Sequence, residues 1–148
     1  MIPTHFIDEL SGKLLHKKAK IHRIDGLHGH VHLHPTLRPR TVSTPPKVMV
    51  RRLVGDGIHD SDEILEIPEN WLEGLDVKCA DENEVEGNPW DLITKISSMD
   101  GVITQSVTLA SESALLGVPC LLVTKAVRGF LQRLENEGYP LFLSLIHI

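Results

Sequence analysis

The sequence predicts an α/β fold organised as a Rossmann-like, doubly wound parallel sheet, and three observations predict it. From residue 47 onward, short apolar runs rich in β-branched residues alternate with amphipathic stretches of helical period. Cap and turn residues separate them. The resulting βαβαβα order needs crossover connections, which belong to parallel strands packed between layers.

Each element has its own signal. Residues 4–20 read as a helix, with Phe6, Leu10 and Leu14 at helical spacing behind Pro3 and Thr4, and residues 21–24 as a short strand. Residues 26–46 hold two Gly, four Pro and the alternating His28, His30, His32 and His34, and read as a linker. An extended strand would place those four histidines on one face, where they would suit a transition metal. Gly26 and Gly29 oppose a regular strand, and no Cys or acid completes the set, so no metal site is assigned.

Residues 47–54 and 75–80 are the first two strands of the main sheet. Asn88 and Pro89 form an N-cap and first-position pair opening a helix that carries Trp90, Ile93 and Ile96. Strands at 101–104 and 118–123 bracket a helix at 108–116, and a helix at 126–137 ends before Gly138. His59, Asp60 and Asp62 resemble an acid/base cluster, but Asp60 followed by Glu63 is read as a helix start.

Composition narrows the function classes. The chain is 41% hydrophobic, yet no apolar run reaches the ~18 residues of a membrane span. Its N-terminal lysines follow the apolar residues instead of preceding them, the reverse of a secretory signal, so a cytoplasmic location is expected. With aromatic residues at 4%, little is available to stack on bases, which argues against nucleic acid. The net charge of -5 conceals segregation: residues 1–54 carry ten Lys and Arg against three acids, and residues 55–101 two against fourteen. The basic block suits phosphates, or else the two blocks face one another. Cys79 and Cys120 lie in separate apolar runs and are expected as buried thiols.

The stretch 100–119, DGVITQSVTLASESALLGVP, carries the chemistry. A strand ends at a small polar residue, the chain turns, and a helix begins with free N–H groups over the C-terminal edge of the sheet, where a diphosphate is favoured. Ser106 and Thr108 add hydroxyls there. Glu112 follows Ser106 by six residues, roughly 9 Å along a helix, comparable with the reach from a diphosphate to the diol of its ribose. Arg51, within the 47–54 strand, is either a further phosphate contact or a surface charge beside Arg52.

The spacing of Ser106, Thr108, Glu112, Gly117 and Pro119 resembles the donor-binding signature of GT-B enzymes. It is most similar to the epimerase-like family, often archaeal, related to UDP-N-acetylglucosamine 2-epimerase, in which a Ser/Gly-Gly-Thr-Met run precedes Glu-Ala-Ala-Leu-Leu-Gly. Residues 25–35 and 48–51 resemble, more loosely, that family's interdomain segment and first C-terminal-domain strand. The resemblance implies that Ser106 and Thr108 contact phosphate, that the intervening Val107 lines the phosphate turn, and that Glu112 holds ribose hydroxyls. Two positions depart from the pattern: Val107 stands where the family has Gly, and Ser111 where the epimerases carry a second acid.

The implied organisation is the end of an N-terminal domain with its linker over residues 1–46, followed by a nucleotide-sugar-binding domain over 47–148 that is incomplete at its C-terminus. The implied activity is that of a sugar epimerase or glycosyltransferase in saccharide biosynthesis, binding a UDP-sugar without a further cofactor and working with an N-terminal half from the same gene or a separate chain. No catalytic residue is assigned. A non-catalytic binding subunit of a split glycosyltransferase, or a degenerate module without activity, are the alternatives.

Overall fold

The computed structural model describes residues 2–3, 23–33, 41–53, 65–80, 88–125 and 129–144. Strands β1 (Ile2–Pro3) and β2 (Arg23–Ile24) form a two-residue parallel pair. The main sheet comprises β3 (Lys47–Arg51), β4 (Asp76–Cys79), β5 (Gly101–Thr104), β6 (Cys120–Leu122) and β7 (Leu141–Leu143), all parallel, in the order β4-β3-β5-β6-β7. Helices α1 (Pro89–Ser97), α2 (Val107–Leu115) and α3 (Gly129–Asn136) connect β4 to β5, β5 to β6 and β6 to β7. The predicted α/β parallel sheet is therefore present. The predicted helices at 4–20 and near Asp60 lie outside the described residues, as do His59 and Asp62.

Two hydrophobic clusters show how the sheet is covered. Met49, Val102, Cys120, Leu122 and Leu141 pack with Ile96 of α1, Leu109 and Leu115 of α2 and Leu131 and Leu134 of α3. Val48, Val50, Ile103 and Val123 pack instead with Ile67, with Leu65, Trp71, Leu72 and Leu75 around it. The alternation of side chains along each strand separates the two sets. All three helices thus lie on one face, and the β3-to-β4 connection, which includes a 3-10 turn at Glu69–Leu72, covers the other.

Local chemistry sets the helix ends. Asn88 accepts the Trp90 N–H at 3.1 Å and Pro89 opens α1, as the sequence predicts. After α2 the chain leaves through Gly117 at φ 72, with Gly117 N–H bonded to the Ala114 carbonyl and Val118 N–H to that of Ser113. That pair of bonds is the Schellman arrangement, which requires the left-handed φ that glycine adopts without strain. α3 ends in the same way at Gly138, φ 82.

Two expectations differ from the structure. β7 (Leu141–Leu143) was not predicted: the sequence reading ends with the helix before Gly138, and the strand forms by pairing with β6. Cys120 is buried as expected, whereas Cys79 is exposed, since it is the last residue of the edge strand β4. As Gly26 and Gly29 predict, His28–Val31 is not a regular strand but a 3-10 turn, in which the His30 Nδ1 accepts the Leu27 N–H; His34 lies outside the described residues.

Candidate functional site

Strand order reverses at β3. The chain steps outward to β4, returns across β3 to β5, and then continues outward through β6 and β7. In open parallel sheets such a reversal leaves a crevice beyond the carboxyl ends of the two strands at the switch, because their connections leave toward opposite faces. Here those strands are β3 and β5, whose register pairs Arg51 with Thr104 at the C-terminal edge.

Thr104 builds the turn. Its hydroxyl donates to the Arg51 carbonyl at 3.1 Å and accepts the Ser106 N–H at 3.0 Å, so one buried side chain joins the two strand ends and fixes the exit of the chain. Gln105 works in the opposite direction. Its side-chain oxygen accepts the Leu53 N–H at 2.7 Å and its amide group donates to the Leu65 carbonyl, tying the two ends of the β3-to-β4 connection that the structure describes. The sequence marks Thr104 only as the small polar residue that ends the strand, and Gln105 not at all. A polar pair directly after an apolar strand was the available signal, since buried polar groups at such a place must find partners.

Ser106 is the N-cap of α2, and its Oγ accepts the Leu109 N–H at 3.4 Å. The Ala110 N–H already bonds to the Ser106 carbonyl. Helix geometry leaves the amides of Val107 and Thr108 without an intrahelical acceptor at the positive end of the macrodipole. The first turn of α2 holds no acid, whereas that of α1 holds Asp91, which offsets the α1 dipole. Thr108 is exposed beside these amides. Lys125, also exposed, stands just past β6 on the same edge and was not anticipated.

The remaining predicted residues fall as follows. Val107 has a negative φ and packs its half-buried side chain against the helix-side core, so the backbone there makes no demand for glycine. Arg51 is half-buried at the end of β3, with its Nε enclosed, while Arg52 pairs with Glu69 at 2.9 Å. Glu112 lies on α2 with its side chain 21% exposed, and its Oε1 is 3.5 Å from Nε2 of His32. Ser111, in the place of a second acid, donates to the Thr108 carbonyl at 2.8 Å and stays bound to its own helix.

Chemically, the edge offers an anion two amide donors and the Thr108 hydroxyl, with Arg51 at the end of β3, Lys125 just past β6 and a carboxylate further along α2. Among the described residues no helix is long and apolar enough to cross a membrane. No protein family, curated protein or solved structure compared with the chain matches it.

Proposed function

We propose that this chain binds the diphosphate of a nucleotide sugar, a UDP-sugar in the first instance, as the donor-binding half of a sugar epimerase or glycosyltransferase of GT-B type acting in saccharide biosynthesis. The observation that carries the reading is the position of α2. Its capped, acid-free N-terminus stands at the carboxyl end of β5, at the point where strand order reverses. Phosphate oxygens would accept from the Val107 and Thr108 amides and the Thr108 hydroxyl, with Arg51 across the switch point. Glu112 would accept from the ribose hydroxyls. The acceptor side and the catalytic groups would come from an N-terminal half, encoded with this one or supplied by a separate chain.

Titration of the chain with uridine diphosphate, followed by amide NMR, tests this. Val107 and Thr108 should shift first, and Leu109 less, because its N–H is held by Ser106. Glu112→Ala should weaken the nucleotide by about 1 to 3 kcal/mol and leave inorganic diphosphate unaffected. Equal losses for both ligands would return Glu112 to a structural role. Absence of any shift at the α2 N-terminus would reject the reading.

A further inference from the structure

The histidine-rich turn from Leu27 to Leu33, before the main sheet, is packed against α2. Leu27 and Leu33 are buried in the helix-side core at either end of its turn. Between them, Gly29 lies so close to Leu115 of α2 that a Cβ there would overlap the Leu115 side chain. The turn is closed by Leu33 N–H to the Gly29 carbonyl at 2.8 Å and by His30 N–H to that of Leu27 at 3.0 Å. Asp25 reaches α3 through Arg133 at 2.7 Å. A backbone held at both ends and in the middle has little freedom, and it delivers one side chain to the polar side of α2. That side chain is His32.

We infer that His32 is a positioning residue for Glu112, holding the carboxylate in the orientation that receives the ribose diol; this rests on the nucleotide reading above. The 3.5 Å separation of Nε2 and Oε1, with the two side chains 33% and 21% exposed, leaves the carboxylate reachable from solvent. A carboxylate has acceptor capacity on both oxygens, so a contact at Oε1 leaves room for two hydroxyls. A free Glu on a helix surface samples several rotamers, and a ligand that needs one of them must order the rest. His32 performs that ordering beforehand. A residue assigned to a connecting segment thereby becomes part of the sugar-nucleotide site.

The experiment has a ligand-free and a ligand-bound arm, both on the full chain. In the first, Glu112→Gln should move the imidazole nitrogen resonances of His32 while leaving those of His30 in place; an unmoved His32 would overturn the inference. In the second, uridine diphosphate and inorganic diphosphate are titrated into the parent chain, His32→Ala and His32→Gln. His32→Ala should weaken uridine diphosphate roughly three- to tenfold, the net scale of an ordinary polar contact, with inorganic diphosphate unchanged. His32→Gln, which retains an N–H donor, should recover part of the loss. Uridine diphosphate binding that is intact in the parent and unchanged in His32→Ala would sink the positioning role alone. Failure of the parent chain to bind it would sink the nucleotide reading and this inference with it.

Discussion

The hydroxyl of Thr104 donates to the carbonyl of Arg51 at 3.1 Å, across the one pair of neighbouring strands where the order of the sheet reverses. Because the same oxygen also receives the Ser106 N–H, one buried group ties the start of α2 to the strand ends, beside the Gln105 N–H that also reaches the Arg51 carbonyl at 3.3 Å. Thr104→Val keeps the shape but leaves the part-buried Ser106 N–H without its acceptor, while the Arg51 carbonyl keeps the Gln105 N–H at 3.3 Å, so it should cost about 1 to 3 kcal/mol. Urea unfolding would measure the loss, and the Ser106 amide should exchange faster than in the parent. An unchanged midpoint would mean that the turn is held by the surrounding packing.

Val107→Gly should lower stability by about 1 kcal/mol, through helix propensity and lost packing against the core. Its effect on inorganic diphosphate affinity should be negligible, since the Val107 side chain packs against the core cluster. Calorimetric titration of the two proteins decides this. A marked gain in affinity would show that the Val107 side chain obstructs phosphate.

Gly29→Ala should destabilise the chain by about 1 to 3 kcal/mol, because the added methyl overlaps the tip of the buried Leu115 side chain, which must shift to admit it. The effect should be local to the docked turn. Hydrogen exchange at the Leu33 amide, which bonds to the Gly29 carbonyl, should accelerate more than at Val102 in the centre of the sheet; uniform acceleration would contradict it.

The two cysteines should separate cleanly. Cys79 is exposed, while burial pushes the Cys120 thiol well above its ordinary range and removes it from attacking reagents. At neutral pH a thiol-reactive reagent should consume one thiol per native chain, at Cys79, and the second only after unfolding. Rapid labelling of both in the native protein would show that β6 opens easily.

Asp100 gives the pH dependence its sign. The Lys47 N–H at 2.8 Å is the main cause that holds its carboxyl below the ordinary value of 3.8, and the Ser43 N–H at 3.1 Å adds to it. A group depressed in the folded state stabilises it above the unfolded pKa, and that contribution disappears as pH falls through the folded value. The parent chain should therefore exceed Asp100→Asn in stability at neutral pH, with the difference shrinking below about pH 4. Urea midpoints across that range would show it. A gap independent of pH would assign the effect to shape instead of charge.

The sequence alone determined what depends on near neighbours. Asn88 with Pro89 starts α1, Ser106 caps α2, Gly117 and Pro119 lead the chain from α2 to β6, and the apolar runs mark four of the five main-sheet strands, because caps, turns and side-chain alternation act within a few residues. Only the tertiary structure decided what depends on partners distant in the chain. The reversal of strand order at β3 follows from which edges pair, and β7 owes its existence to β6. Gln105 acquires its role from Leu53 and Leu65, which its own neighbours do not specify. His32 and Glu112 meet because Leu27 and Leu33 bury themselves against α2 and its surroundings. Apolar burial is non-directional, so the pattern of hydrophobic residues shows that a segment will be covered without showing which surface covers it.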